Sequence, residues 1–308
     1  MDLRELAVFI RMGRLPLLFG GLLYYLLGAF IAVAAGYPLD LSRILIGYAI
    51  LGPAHLSVHF SNDYFDIDGD RRGRPTAVSG GSGVLMGRPD LHPRARIIAL
   101  FLVAISFFIG IWAYLTVLPT PFLLMLLLIG NGIGWFYSAP PVRLSSKGLG
   151  EATTAIAIGL LIPGMGFLAM SGTLDLTFLI AALPLILYGV AFILAVEIPD
   201  READAISGKG TFIVRYGVRA GMRLSLAATL LAAVLYFTAP VTGIIKSAVP
   251  VVPIALASLI PLSCALSANV REPRGEGDLT GFAQNTVTSL IIFAVLADAS
   301  LLIAIVGR

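Results

Sequence analysis

The stretch Asn62-Asp63-Tyr64-Phe65-Asp66-Ile67-Asp68-Gly69-Asp70 sets four aspartates and an asparagine within nine residues, directly behind an apolar run over 43–61. Such a run matches the roughly 20 residues that an α-helix needs to cross the hydrocarbon core of a bilayer. The acids therefore stand at a membrane boundary, where carboxylates in numbers call for a positive partner. A second group, Glu197, Asp200 and Asp204, closes another apolar run over 176–197.

Outward from these clusters the chain is strongly apolar. Hydrophobic residues make up 58% and charged residues 13%, with a mean hydropathy of +0.93, whereas soluble domains carry about a quarter charged residues. The apolar residues come in long runs rather than short alternating strands, which predicts an all-α, polytopic membrane helical bundle and excludes a barrel. Nine transmembrane helices are expected, at about 15–35, 43–61, 97–117, 121–138, 151–170, 176–197, 222–239, 248–267 and 286–306. Residues 1–308 read as a single transmembrane domain. The run starting at Leu15 is too long for a secretory signal and reads as a retained first span. The lone Cys264 excludes an intramolecular disulfide and reads as a small core residue.

The loops give the orientation. Connections after the second, fourth, sixth and eighth spans are long and basic, and only Arg43, Lys246 and Arg308 of the 21 Lys and Arg residues fall on the opposite side. The excess of positive charge marks the cytoplasmic face. The chain is thus expected in the plasma membrane, with its amino terminus and both acidic clusters cytoplasmic and its carboxyl terminus outside. Asp63, Asp66 and Asp70 share their three-and-four spacing with Glu197, Asp200 and Asp204. Each set follows the second helix of a four-span segment, which suggests two parallel four-helix units plus one helix.

On a helix, Asn62, Asp66 and Asp70 advance about 40° per step and share one face, as do Asp200 and Asp204. Stacked carboxylates repel unless something positive lies between them. Mg²⁺ suits such oxygens, taking one or two carboxylates together with substrate phosphates, so the expected cargo is a magnesium diphosphate. The alternative is a set of solvated helix-end acids paired with Arg71, Arg72, Arg74 and Arg201.

Three motifs carry a resemblance. Asn62 to Asp66 with Asp70, Tyr137-Ser138-Ala139-Pro140-Pro141 with Lys147-Gly148-Leu149-Gly150-Glu151, and Asp200-Arg201-Glu202-Ala203-Asp204 with Gly208-Lys209-Gly210-Thr211 resemble the UbiA family of intramembrane prenyltransferases. The resemblance spans essentially the whole chain. It implies transfer of an isoprenyl group from a polyprenyl diphosphate to a small acceptor within the lipid bilayer. By the same resemblance, Asn62, Asp66, Asp70, Asp200 and Asp204 hold two Mg²⁺ ions, Arg72, Lys147 and Lys209 form a cationic clamp, and Tyr137 lies near the reacting carbon. Trp135, Phe136 and Tyr137 are placed to offer at least one aromatic face to an allylic cation. Nucleic acid and protein partners are not implied.

Other polar residues carry less. His55 and His59 lie on the face of Asn62, deeper in the membrane, and read as hydrogen-bonded packing residues in the absence of further zinc ligands. Asn131, Glu151 and Asp298 read equally as acceptor contacts or interhelical hydrogen bonds. The Gly80-Gly81-Ser82-Gly83 loop reads as a turn or as backbone donors to an anion.

For the acceptor, the segment Gly73-Arg74-Pro75 to Leu85 is more similar to the menaquinone-type branch, which prenylates 1,4-dihydroxy-2-naphthoate in quinone biosynthesis. A glyceryl phosphate acceptor of archaeal-type lipid synthesis is the second expectation. A CDP-alcohol phosphotransferase fits less well, because Asp70 follows Asp68-Gly69 and Val196 stands where its second motif needs glycine. A non-enzymatic transporter would hold its binding groups near the bilayer midplane rather than at one edge.

Overall fold

In a computed structural model, residues 3–71, 76, 81–239, 250–271 and 275–307 are described. They form an all-α bundle in which eight helices are long and apolar enough to cross a membrane. In chain order the main helices are α1 (Leu15–Ala34), α2 (Leu41–Phe65), α3 (His92–Thr116), α4 (Pro121–Phe136), α5 (Gly150–Ser171), α6 (Leu176–Ser207), α7 (Val218–Thr238), α8 (Val251–Arg271) and α9 (Glu276–Val306). A short helix, Leu3–Met12, precedes them. Helix α4 has only 16 residues, about 24 Å of rise against a hydrocarbon core near 30 Å.

Local chemistry sets the helix ends. Asp40 caps α2 by accepting hydrogen bonds from the Ser42 and Arg43 amides, and Asp175 caps α6 by accepting from Phe178 N. Gly172 and Gly208 take positive φ (74° and 76°) to close α5 and α6, a conformation open to glycine without a side-chain clash. The helices do not stop where hydropathy does. Helix α6 continues about ten residues past its predicted end, and α9 starts about ten residues before its predicted start, so polar turns extend both beyond the apolar slab.

Helices α1 and α5 are the most enclosed, with 61% and 67% of their apolar windows buried, against 22% for the span ending at Thr116. Small residues let their backbones touch. A Cβ built on Gly28 would stand 1.8 Å from the Pro163 carbonyl oxygen, and one on Gly166 would stand 1.9 Å from that of Tyr25. Close backbone approach replaces the hydrophobic drive that helices lack in lipid. Gly159, in a π-helical turn of α5 (Ala157–Leu161), does the same against Ile186 of α6. The bulky core around this seam is Phe167, Phe178, Tyr188 and Phe293.

Candidate active site

A cavity of about 360 Å³ is enclosed by α1, α2, α4, α5, α6 and α9. Its inner wall is apolar, with Leu51, Leu161, Ile162, Leu290 and Ile291, and its other end carries Asn62, Asp66, Asp70, Asp200, Asp204 and Lys209. The two acidic clusters, 130 or more residues apart in sequence, thus meet across one space.

The first cluster is not one helical face. Helix α2 ends at Phe65, Asp66 takes φ −99° and ψ 5°, and Asp70 lies on a separate four-residue helix, Ile67–Asp70. The turn still carries Asp70 N to the Asp66 carbonyl at 2.9 Å, so all three predicted ligands of this cluster keep facing the cavity. Asp200 and Asp204 follow the expectation, since α6 passes through both unbroken despite Pro199.

Lys209 joins the clusters. Its Nζ lies 3.5 Å from Asp66 Oδ2 and 3.6 Å from Asp204 Oδ1. Burial pulls the ammonium pKa down, but the Asp66, Asp204 and Asp70 carboxylates reverse this and hold it above its ordinary value. Asp70 is pushed up to about 7, first by burial and then by the Asp66 charge. Ser138 Oγ lies 2.7 Å from Asp66 Oδ2 and 3.1 Å from Asn62 Oδ1, within hydrogen-bond reach of both. Among the described residues, no three Asp, Glu, His or Cys side chains converge as a ready-made metal cage.

The neighbouring acids have other partners. Asp63 is buried and binds Arg14 at 3.1 Å, the Ser82 amide at 3.0 Å and the Ser82 hydroxyl. The exposed Asp68 lies 3.8 Å from Arg71. The described part of the glycine-rich loop therefore does donate to an anion, and the anion is Asp63. Gly81 lies so close to Asp70 that a Cβ there would meet Oδ2 at 2.1 Å, at a φ of +69°.

The remaining expected residues divide. Tyr137 lines the cavity, with its hydroxyl 3.4 Å from Thr154 Oγ1. Trp135 instead packs edge-on against Phe65, and Phe136 is exposed, so Tyr137 is the member of that aromatic trio that reaches the cavity. Lys147 donates to the Pro141 carbonyl at 3.1 Å and is not among the residues lining the cavity. Arg72 lies outside the described residues. Asn131 hydrogen-bonds Ser106 of α3, and Glu151 accepts from the Phe212 amide.

Sequence reasoning missed Arg14, Ser82 and Ser138 as supports of the first cluster. Ser138 lies in the Tyr137-Ser138-Ala139-Pro140-Pro141 motif, and Arg14 is one of the arginines that precede the first span. Arg14 also holds a left-handed backbone, φ 47°, which costs a non-glycine residue about 1–2 kcal/mol.

The fold is thus an all-α membrane bundle with two acidic helix ends facing one apolar-walled cavity. The model of the UbiA prenyltransferase family matches residues 22–277, and the chain belongs to that family. It is 23% identical over 188 residues to the 1,4-dihydroxy-2-naphthoate octaprenyltransferase of Bacillus subtilis (strain 168), a match that covers 61% of this chain and 59% of that protein. A solved UbiA homolog from Archaeoglobus fulgidus bound to GPP and Mg²⁺ superposes with a TM-score of 0.67 at 15% identity, covering 96% of this chain and 99% of that one. A solved digeranylgeranylglyceryl phosphate synthase superposes with a TM-score of 0.62 at 15% identity, covering 99% and 100%.

Proposed function

We propose that the protein transfers an isoprenyl group from a polyprenyl diphosphate to a small anionic acceptor, with Mg²⁺ as cofactor. The observation that carries this is the meeting of Asp66 and Asp204 on Lys209 at the polar end of an apolar-walled cavity. A diphosphate and its metal fit the polar end, and a hydrocarbon chain fits the apolar wall.

Asn62, Asp66, Asp70, Asp200 and Asp204 would hold two Mg²⁺ ions; the donor set fits, being all oxygen, with Ser138 Oγ within hydrogen-bond reach of Asn62 and Asp66.

 The metal, when bound, neutralises charge building on the leaving diphosphate. Mg²⁺ takes one or two carboxylates together with substrate phosphates, and these residues would hold it beside the donor. Lys209 then turns from its two carboxylates to the phosphate oxygens left free. Arg72 and Lys147 complete the clamp in this reading, Lys147 by leaving the Pro141 carbonyl. Tyr137 offers its ring to the allylic carbon as positive charge develops there, and the apolar wall keeps water away from it.

For the acceptor, we favour a glyceryl phosphate. A solved digeranylgeranylglyceryl phosphate synthase shares this fold over nearly the whole chain, which supports this choice. Prenylation of 1,4-dihydroxy-2-naphthoate is the second reading, favoured by the Bacillus subtilis relative and by the segment up to Leu85. The finer architecture belongs to the same proposal: α4 serves as a ninth span, the helices group as two parallel four-helix units plus α9, and the acidic ends face the cytoplasm.

The test is transfer from radiolabelled geranylgeranyl diphosphate in liposomes with Mg²⁺, offering geranylgeranylglyceryl phosphate and 1,4-dihydroxy-2-naphthoate separately. Metal-dependent transfer to the first is expected. Transfer to the second alone would overturn the acceptor, and transfer to neither, without metal-dependent donor binding, would overturn the whole reading.

A further inference from the structure

Two imidazoles line the same cavity one helical turn apart on α2, at His55 and His59. Their rings lie 5.3 Å apart, tilted by 41°. Room for the first is made by Gly21 of α1, where a Cβ would stand 2.4 Å from His55 Cε1. The second is 6% exposed, and its Nε2 has no hydrogen-bond partner among the described residues. A buried polar atom without a partner costs about 1–3 kcal/mol, which a packing role alone does not return.

The position of this atom gives it a use. His59 precedes Asn62 by three residues, about 4.5 Å of helical rise into the membrane. A diphosphate held at Asn62 and Asp66 would have its allylic carbon directed inward, toward that level. Of the charged and titratable groups around this cavity, His55 and Arg14 act most directly on His59. Arg14 is itself held by Asp63, and among the described residues no carboxylate is bonded to the free imidazole nitrogen.

We propose that His59 binds the acceptor hydroxyl through Nε2 and takes its proton during transfer, with His55 positioning the ring. The inference rests on the prenyl-transfer reading above. In the step, the allylic carbon–oxygen bond breaks and its electron pair leaves with the diphosphate. A lone pair of the acceptor oxygen forms the new carbon–oxygen bond, and the hydroxyl proton passes to Nε2, giving an imidazolium. That proton returns to solvent as the products leave. The role requires the tautomer protonated at Nδ1, which leaves Nε2 as an acceptor.

The experiment uses the full chain in liposomes with geranylgeranyl diphosphate, Mg²⁺ and geranylgeranylglyceryl phosphate. In His59→Gln, which keeps a polar side chain without the base, single-turnover transfer should fall on the order of 10²–10⁴-fold. Donor binding should stay within about twofold, so that kcat and not the donor KM changes. In His59→Ala, added imidazole should restore part of the rate, more strongly as pH rises and the free base accumulates. His55→Phe, which keeps the ring contact, should retain more of the rate than His55→Ala, which removes it. Transfer by His59→Gln within about threefold of wild type would overturn the proposal, as would loss of donor binding in His59→Ala with no rescue. A wild-type protein that transfers while His59→Gln transfers equally well refutes only the role of His59. A wild-type protein with neither transfer nor metal-dependent donor binding refutes the prenyl-transfer reading and this inference with it.

Discussion

At the end of α2 the chain folds over its acids, whereas at the end of α6 it runs straight through them. The first cluster breaks at Asp66, continues on a four-residue helix, and surrenders Asp63 to Arg14 and Ser82. The second stays on one continuous helix to Ser207 and receives Lys209 from the turn behind Gly208. Matched spacing in sequence has thus produced unmatched supports. The first half of the site is built from long-range contacts, and the second half is built from its own helix.

Removing a carboxylate from either half should have the largest effect and should test whether the halves form one site. Asp66→Ala and Asp200→Ala are each expected to lower transfer on the order of 10²–10³-fold, as loss of a charge-stabilising group does elsewhere. Near-normal turnover by either variant would break the comparison by leaving one cluster without a role. Lys209→Met comes next. It removes the cation shared by Asp66 and Asp204, and donor affinity should fall by about 10-fold to 100-fold at saturating Mg²⁺, on the scale of lost charged hydrogen bonds. Lys209→Arg should recover part of that loss. Equal donor affinity in Lys209→Met would show that the two clusters do not share this cation.

Arg14→Met should separate the halves by stability. It leaves Asp63 buried against Ser82 alone, and breaking such a pair costs about 3–5 kcal/mol. A clear fall in the melting temperature of the detergent-solubilised protein is expected, whereas Arg71→Met, whose side chain pairs with exposed Asp68, should change it little. The smallest effect is a pH dependence. Asp70 titrates near 7 in the fold, above its unfolded value near 3.9, so the folded state binds more protons between those values. Its contribution to stability is therefore full below pH 4 and is lost as pH rises toward 7. The donor-free protein should lose melting temperature across this window through Asp70, and Asp70→Asn should flatten that part of the curve. An identical pH profile in Asp70→Asn would show that Asp70 is not the group that titrates in this window.

The spans were legible because a bilayer demands long apolar runs, and eight of the nine expected segments form helices of crossing length. Their ends were less so. Hydropathy registers the apolar slab, and α6 and α9 continue as polar turns outside it. The acids at both helix ends were legible from density and spacing alone. The break at Asp66 was not, since helical periodicity continues through Asn62, Asp66 and Asp70. Neither was the Arg14–Asp63 pair, whose partners lie 49 residues apart, nor Ser138, which reaches Asp66 across 72 residues. No local pattern encodes such pairings. Lys209 was identified by its motif, but its place between the two carboxylates needed the fold.

The glycine seam between α1 and α5 also bears on how this protein can change. Every single-base, non-silent change of a glycine codon that leaves a sense codon adds a Cβ. At Gly28 and Gly166 that atom would fall within 1.8 and 1.9 Å of a neighbouring backbone oxygen, and a backbone oxygen cannot swing aside as a side chain can. Adjacent walls such as Leu51, Leu161 and Ile291 face open space instead. Variation that reshapes the cavity for a longer donor or another acceptor is therefore open to those walls and closed to the glycine positions of the seam.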